Sequence, residues 1–346
     1  MTQRWKNRPE GSTWGDFGPD DENGRLNLLT PERVKRAVAE VQEGRTFCLS
    51  LPLDYPGGNL LNDRRHPPRT FSTIRDGKAN YNYRLDQHDE ALTDVLSDDA
   101  ALIHLQYSTQ WDGLSHVGSL FDADGDGVPE VVYYNGWRGG EDIVGPSGHA
   151  HGDGCSEYEG AHAGRLGIEK MAQRCVQGRG VMVDLNAHFG EERKLVGYDE
   201  LMAVMEADKV TVEEGDMLCL HTGFARMVLR MNKTPDPKKL HGACPVLNGR
   251  DKRLQNWITD AGIAVLIADN YAVEAYPSEP GEGKHAALPL HEHCLFKLGV
   301  HLGELWYLSD LADYLRANGR SRFLLTAPPL RLPGAVGSPA TPVATV

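Results

Sequence analysis

The chain has 346 residues, 40% of them hydrophobic and 25% charged, and its 36 basic and 49 acidic residues give a net charge of −13. This length is sufficient for one large domain or two smaller ones with a substantial core. The acidic balance argues against nucleic-acid partners and anionic membrane surfaces. We expect no membrane span and no signal peptide, because no apolar run approaches the roughly 20 residues that cross a bilayer and the first residues lack an apolar core.

The first half of the chain begins with an irregular arm over residues 1–29. A helix is predicted from Pro31 to Gly44, because Thr30 is a favourable N-cap and proline is favoured at the first helical position. A short strand at 47–53 follows. After it comes a loop with prolines and arginines, among them Arg64, Arg65 and Arg69.

The second half of the chain contains both predicted strands and predicted helices. Strands are predicted within 180–185, 210–223, 263–269 and 321–327, and helices over 161–177, 198–207, 254–261 and 309–319. This mixture, without repeats or a clear linker, indicates a single domain of the α/β or α+β class. We assign 1–44 to an N-terminal arm and helix, 45–330 to the domain itself, and 331–346 to a Pro- and Gly-rich tail packed on the domain or on a partner subunit.

The six cysteines are scattered along the chain without any CxxC pair. In a chain of this length they are expected to be reduced, mostly buried thiols of a cytoplasmic protein. A cysteine-based zinc site is therefore not expected.

The stretch 102–117 carries the strongest chemical signal. If it is an extended strand, Gln106, Gln110 and Asp112 lie on one face because side chains alternate. The glycine after Asp112 permits a bend that returns His116 to the same side. Two amides, a carboxylate and an imidazole then form a metal or acid–base site. The alternative is an edge strand with a solvated polar face.

Two further polar clusters lie downstream. His291, Glu292, His293 and Glu304 occur within an apolar segment, where buried ionisable groups need partners. A core histidine with satisfied hydrogen bonds is the alternative there. In the segment 268–274, which contains Asn270, Tyr271 and Glu274, a buried strand ends in polar groups, the usual place of sites in α/β folds, although an Asx turn also explains it.

Other motifs point away from alternative chemistries. The chain has no GxSxG, no GxGxxG after a strand and no P-loop motif. The loop from Asp122 to Gly127 begins like an EF-hand, but Tyr133 occupies the twelfth position and Pro129 interrupts the loop. An acidic turn explains this loop better than a weak Ca²⁺ site.

Residues 106–116, QYSTQWDGLSH, resemble the signature His-x-Gly-Thr-His-x-Asp-x-Pro-x-His of the cyclase family of metal-dependent hydrolases, which includes kynurenine formamidase and isatin hydrolase. Thr109, Asp112 and His116 match directly, while Gln106 and Gln110 replace two histidines. The Gln-x-x-x-Gln-Trp-Asp-x-x-x-His form is similar to the branch that includes trans-dienelactone hydrolase. The resemblance extends over about 45–330.

The resemblance implies an α/β domain with a central mixed, barrel-like sheet flanked by helices, assembled as dimers or tetramers. It implies His116 as the general acid/base and a set of metal ligands from both parts of the chain. That set comprises Gln106, Gln110, Asp112, Glu304 and a downstream histidine, with His293 preferred and His291 second. Because amide oxygens are harder ligands than imidazole nitrogens, we expect one divalent ion, with Mn²⁺ favoured over Zn²⁺.

The function implied is opening of a lactone by a metal-activated water. Hydrolysis of a cyclic amide or formamide is the alternative, and an inactive metal- or ligand-binding protein of the same fold is another. The substrate is expected to be a small molecule, with a carboxylate held by one of the loop arginines, unless that loop is merely solvated. Substrate contacts are predicted for Asn270 and for Tyr134 and Trp137 in a Gly-rich loop that forms a lid.

Overall fold

The computed structural model describes residues 4–146 and 160–346, so Cys155 and the later part of the predicted Gly-rich loop lie outside the described residues. The strands are β1 Thr46–Cys48, β2 Arg69–Ser72, β3 Ile74–Arg75, β4 Lys78–Ala79, β5 Tyr83–Arg84, β6 Val95–Leu96, β7 Asp99–Leu102, β8 Gln110–Asp112, β9 Ser119–Phe121, β10 Glu130–Val132, β11 Ile143–Val144, β12 His162–Ala163, β13 Gln177–Asp184, β14 Lys194–Val196, β15 Met217–His221, β16 Pro245–Leu247, β17 Val265–Ala268, β18 His301–Glu304, β19 Arg322–Thr326, β20 Gly337–Pro339 and β21 Val343–Thr345.

The helices are α1 Pro31–Val38, α2 Ile168–Gln173, α3 Leu185–Phe189, α4 Tyr198–Ala207, α5 Phe224–Arg230, α6 Pro237–His241, α7 Lys252–Ala261, α8 Pro289–His291 and α9 Ser309–Ala317. A π-helical segment, Glu292–Leu298, continues α8, and short 3₁₀ turns cover Gly24–Leu28, Leu85–Gln87 and Tyr134–Gly136. No helix in the described ranges is long and apolar enough to cross a bilayer.

A curled, mixed sheet forms the centre of the fold, with strand order β1-β21-β19-β13-β15-β17-β18-β8-β20. Its four middle strands, β13, β15, β17 and β18, run parallel, and the outer strands pair antiparallel. This half-barrel flanked by helices confirms the predicted fold class.

The parallel strands are buried on both faces, as their continuous apolar sequences require. Val181 and Val183 of β13 face one core cluster, together with side chains of α4 and α7. Met182, between them, faces the opposite cluster, which includes side chains of α9 and β19. The period-two alternation along β13 therefore divides the interior into two layers.

The stretch 102–117 is not one strand, and that prediction is wrong. Leu102 ends β7 and Gln110–Asp112 form β8, while the chain between them leaves the extended conformation and turns. Side-chain bonds fix these turns: the Thr109 hydroxyl accepts from the Leu51 N–H (2.9 Å) and donates to the Leu305 carbonyl (2.6 Å). These hydrogen bonds to Leu51 and Leu305 thus take the place of the strand pairing that a longer β-strand would need.

The chain ends belong to the sheet. Residues 331–346, predicted as a tail, contribute β20 beside β8 and β21 between β1 and β19. The predicted helix after Pro31 begins as expected but ends at Val38, and the one predicted over 161–177 is limited to Ile168–Gln173 because β13 already starts at Gln177.

A polar cluster joins the carboxyl ends of the parallel strands. His221 of β15 bonds through Nδ1 to Asp184 Oδ1 (2.7 Å) and through Nε2 to the Ser309 hydroxyl (3.0 Å), and Asp269 Oδ2 lies 4.0 Å from Nε2. Although this resembles a Ser–His–Asp triad, Ser309 is fully buried at the start of α9. The cluster therefore fixes the strand ends to α9 and does not face a substrate.

Asp184→Asn is expected to lower the free energy of unfolding by about 2 kcal/mol at pH 7. Burial opposes ionisation of Asp184, but hydrogen bonds from His221 and Arg316 outweigh it and lower the pKa from 3.8 to about 2. This stabilisation is present above the unfolded-state pKa and is lost as pH falls through 2. Urea unfolding at neutral and acidic pH measures it.

Asp208→Asn is the matched control, because Asp208 bonds the same Arg316 (2.9 Å) but is not bonded to His221. A smaller loss of stability is expected for this variant. Equal losses for the two variants, or a loss for Asp184→Asn that persists at pH 2, would contradict the assignment.

Candidate active site

The site is built where β8 crosses β18. In this antiparallel pair Gln110 lies opposite Glu304 and Asp112 opposite Leu302, so Gln110, Asp112 and Glu304 project from one face. The Gln110 amide Nε2 donates to Asp112 Oδ1 (3.1 Å) and Glu304 Oε2 (3.2 Å). The amide of Gln110 therefore bridges two buried carboxylates.

His291 completes this cluster from α8. Its Nε2 lies 3.2 Å from Glu304 Oε1, and one ligand atom each from Asp112, His291 and Glu304 falls within 4.8 Å of the others. All three side chains are buried. Two carboxylates and an imidazole at this spacing are a donor set for a divalent metal ion.

His293, the histidine preferred from the sequence, does not join this cluster. Its Nε2 lies 2.9 Å from the Gln255 carbonyl and 3.0 Å from the Thr259 hydroxyl, both on α7. Two residues on a helix are about 200° apart, so His291 and His293 project to opposite sides. The preference for His293 is thus corrected to His291, the second choice.

Glu274 holds His291 in place. The Glu274 carboxylate accepts from the backbone N–H groups of Leu290 (3.0 Å) and His291 (2.9 Å) and from His291 Nδ1 (2.9 Å). A Cβ at Gly249 would come within 1.9 Å of Glu274 Oε2, so glycine leaves the space for this carboxylate. The bond at Nδ1 fixes the ring and directs Nε2 to the cluster, as in carboxylate–histidine–metal triads.

Gln106 and His116 lie at the edge of the cluster. His116 Nε2 is 3.8 Å from Asp112 Oδ1, and Gln106 Nε2 is 3.5 Å from His116 Nδ1. A Cβ at Gly337 of β20 would come within 2.4 Å of the Gln106 amide, so a glycine in the C-terminal segment makes room for it. His116 is 22% exposed, whereas Asp112 is fully buried.

The electrostatics of the cluster favour a protonated His291 beside an ionised Glu304. Burial opposes protonation of His291, but its bonds to Glu274 and Glu304 outweigh burial and raise its pKa to about 10. Burial likewise opposes ionisation of Glu304, and the hydrogen bond and charge of His291 outweigh it and lower the pKa of Glu304. Burial raises the pKa of Asp112, while the charge of His116 opposes the rise.

The cluster opens into a cavity of about 180 Å³, which accommodates a small organic molecule. Asp112, His116, His291 and Glu304 form one end of it. The wall is mixed, with arginine, tyrosine, histidine and aliphatic side chains, and its residues include Leu61, Arg64, Arg65, Tyr107, His241, Tyr271, Tyr276 and Leu288. The predicted Arg-bearing loop therefore contributes two arginines to the cavity.

Tyr134 and Trp137, predicted as substrate contacts, lie elsewhere. Trp137 is buried beneath the N-terminal arm, with the Arg4 guanidinium 3.5 Å above its ring and its Nε1 bonded to the Asp21 carbonyl (3.3 Å). Tyr134 is buried in the core cluster that also contains Trp14. Both aromatic rings fasten the arm to the domain, and neither lines the cavity.

Asn270 is buried behind the cavity wall and is not among its lining residues. Its Nδ2 donates to the Pro245 carbonyl (3.3 Å), and its own carbonyl accepts from the Leu305 N–H (2.9 Å). The next two residues, Tyr271 and Ala272, line the cavity instead.

The acidic loop at 122–127 forms a turn. The Asp122 carboxylate accepts from the backbone N–H groups of Gly125 (2.7 Å) and Gly127 (3.1 Å). Asp124 and Glu130 lie close to it, and Arg138 forms an ion pair with Glu130.

The sequence placed Tyr271 and Glu274 in the candidate segment 268–274 without giving either a role, and it did not indicate His241 at all. Glu274 and Tyr271 follow the buried strand β17, so their position after a parallel strand was the available signal. His241 ends α6 in an unremarkable polar segment, and no sequence pattern indicated it.

Comparisons with known proteins agree with this architecture. The Cyclase family model matches residues 49–275. A crystal structure of a novel cyclase is 30% identical, with a TM-score of 0.72 over 97% of each chain. No curated protein matches significantly.

Two isatin hydrolases share the fold at low identity. Isatin hydrolase A from Ralstonia solanacearum is 14% identical, with a TM-score of 0.54 over 91% of this chain and 98% of that chain. The enzyme from Labrenzia aggregata, bound to benzyl benzoate, is 14% identical, with a TM-score of 0.53 over 92% and 98%. Identity this low indicates similarity of fold.

The half-barrel sheet and the buried Asp112–His291–Glu304 cluster define an α/β protein with a candidate metal site. The chain belongs to the Cyclase family, which confirms the family expected from residues 106–116.

Glu274→Gln is expected to weaken binding of Mn²⁺ and Zn²⁺ by about 10- to 100-fold, because the neutral amide no longer holds the His291 ring as strongly. Titration calorimetry of the purified variant measures this affinity. Thermal unfolding of the metal-free protein checks that the variant is folded.

Glu292→Gln is the matched control, since Glu292 adjoins His291 but accepts from the Ser119 hydroxyl (2.7 Å), away from the cluster. Its metal affinity should equal that of the parent. Unchanged affinity in Glu274→Gln would refute the positioning role.

Proposed function

We propose that the protein is a metal-dependent hydrolase that opens a lactone. The observation that carries this proposal is the buried Asp112–His291–Glu304 cluster at the end of a cavity, with His116 beside it. The Gln106/Gln110 form of the signature, which is similar to the trans-dienelactone hydrolase branch, supports a lactone as substrate.

The residues present fit a divalent ion. Gln110 Oε1 is buried and has no hydrogen-bond partner within the described part of the chain. An unsatisfied buried amide oxygen is costly unless a cation or water accompanies it, and the Nε2 of the same amide lies against Asp112 and Glu304. We therefore assign Asp112, His291, Glu304, Gln110 and Gln106 as the residues that would hold one ion.

Oxygen donors outnumber nitrogen in that set, which favours Mn²⁺ over Zn²⁺. When bound, a divalent ion lowers the pKa of water and polarises a carbonyl group. The protein's own contribution is the arrangement of acid–base and binding groups around that position.

His116 is the general base in this proposal. It is partly exposed to the cavity, and its Nε2 lies 3.8 Å from Asp112 Oδ1. In the reaction, His116 takes a proton from the attacking water as the water oxygen bonds to the acyl carbon. General bases of this kind contribute about 10² to 10⁴ in rate.

Arg65 is proposed to bind a carboxylate of the substrate. One of its terminal nitrogens, Nη1, donates to the Gln106 carbonyl (2.6 Å), which holds the guanidinium at the cavity wall. Arg65 lines the same cavity as Asp112 and Glu304, and its positive charge favours the ionised form of both carboxyl groups. A guanidinium there suits a lactone that carries a carboxylate.

Assembly as a homo-oligomer remains a prediction. The small sheets formed by β2 to β7 bury little and expose Phe71, Ile74 and Val95. A second copy that covers these side chains would stabilise hairpins that are marginal alone.

Mn²⁺-loaded protein is expected to hydrolyse members of a lactone panel and to leave matched cyclic amides and formamides intact. His116→Ala should lower kcat by about 10²- to 10⁴-fold and keep its metal, because it removes only the base. His291→Ala should lose the metal, whereas His293→Asn should retain it. Steady-state kinetics and elemental analysis measure these effects.

Each other outcome has a distinct meaning. Hydrolysis of amides in preference to lactones would assign the alternative substrate class. Metal binding without turnover of either panel would indicate a ligand-binding protein. Loss of metal in His293→Asn but not in His291→Ala would refute the corrected ligand set.

Arg65→Gln is expected to reduce kcat/KM for a carboxylate-bearing lactone by about 10- to 100-fold, since a charge-assisted hydrogen bond is lost. The neutral carboxamide analogue of that lactone should be affected little. Arg64→Gln is the matched control, because the Arg64 side chain is 82% exposed on the same loop. Equal effects on both substrates, or from both variants, would contradict the role of Arg65.

A further inference from the structure

Tyr271 and His241 form a hydrogen-bonded pair in the cavity wall. The Tyr271 hydroxyl lies 2.6 Å from His241 Nδ1, and both residues line the cavity that holds Asp112, His291 and Glu304. Neither residue belongs to the proposed metal-ligand set, and the proposed function gives neither of them a role.

The ring of Tyr271 is held firmly. It packs against Phe224 with ring centroids 5.5 Å apart and against His241 in a T-shaped contact at 5.6 Å. Its backbone is tied to the segment after Glu304, because the backbone carbonyl of Asn270 accepts from the Leu305 N–H (2.9 Å). The hydroxyl is thus fixed relative to the Glu304 end of the cavity.

The other tyrosines of the cavity are poorer proton donors. The Tyr107 hydroxyl accepts from the Gly57 N–H (3.0 Å) and donates to the Gly58 carbonyl (2.8 Å), so its proton is committed to the backbone. Tyr276, which also lines the cavity, is 49% exposed. Burial raises the pKa of Tyr271, which keeps its hydroxyl protonated at neutral pH.

Opening a lactone requires a proton for the leaving oxygen as well as a base for the water. His116 stands beside Asp112, and the Tyr271–His241 pair lies on the wall made by the loop after β17 and by α6. With separate groups for the two transfers, one residue does not have to move between them.

We propose that Tyr271 is the catalytic acid that protonates the leaving oxygen and that His241 returns a proton to it. This inference rests on the proposed hydrolase function. Water forms a bond to the acyl carbon while His116 accepts its proton. The bond from the acyl carbon to the ring oxygen then breaks, and the electron pair left on that oxygen takes the Tyr271 proton. His241 or solvent water reprotonates the tyrosinate, and His116 releases its proton to solvent.

The test compares two six-membered lactones, one with an alkoxide and one with a phenoxide leaving group. Tyr271→Phe should lower kcat/KM for the alkyl lactone by about 100-fold, since general-acid contributions are about 10² to 10⁴. For the aryl lactone a change below about 3-fold is expected, because a phenoxide, with a conjugate-acid pKa of about 10, leaves without protonation. His241→Asn should change the same ratio in the same direction.

Tyr307→Phe is the matched control, because the Tyr307 hydroxyl donates to Asp310 Oδ1 (2.8 Å) and does not line the cavity, so both rates are expected to stay unchanged. Retained aryl-lactone turnover shows that Tyr271→Phe is folded and metal-loaded. Equal losses on both lactones, or no loss on the alkyl lactone, would overturn the inference. If the parent protein hydrolyses neither lactone, the proposed function fails instead, and that result is visible before any variant is made.

Discussion

The contact between His291 and Glu304 is the interaction on which the site depends. Both side chains are buried, and the bonds of His291 to Glu274 and Glu304 raise its pKa, so the imidazole and the Glu304 carboxylate form an ion pair in the metal-free protein. Removing one partner of a buried ion pair leaves an uncompensated charge, which typically costs about 3 to 5 kcal/mol. Glu274 bonds the other nitrogen of the His291 imidazole. Gln110 bonds the Glu304 carboxylate and also Asp112, so the contact extends into a row of bonded partners that reaches Asp112.

The backbone around this row adopts unusual conformations. Ala272, Val273 and Leu305 have φ values of 68°, 55° and 54°, in the left-handed region that non-glycine residues seldom occupy. Such residues cost about 1 to 3 kcal/mol each and persist only where surrounding contacts require them. Here the contacts are visible: Leu305 donates to the Asn270 carbonyl, and the turn at Val273 delivers Glu274 to His291.

Remote parts of the chain meet at the site because the sheet is curled and mixed. β8 comes from the first third of the chain, β18 from the last, and β20 from the final ten residues. The antiparallel pairing of β8 with β18 places Gln110 against Glu304, and β20 supplies the glycine that Gln106 needs. Trp137 fastens the N-terminal arm, none of whose described residues lines the cavity, and the loops after β1 and β17 contribute to the cavity wall.

The sequence by itself determined the features that depend on local pattern. Continuous apolar runs predicted β13, β17 and β19. The residue types of 106–116 indicated the family. The same residues pointed to Gln110, Asp112 and His116, which lie in or beside the buried cluster. Tertiary structure decided the rest. His291 and His293 are chemically equal in sequence, and only the packing of their helical segment determines which imidazole faces Glu304. Tyr134 and Trp137 have the composition of a binding loop, but the N-terminal arm buries them, because an aromatic ring favours whichever apolar surface the fold brings to it.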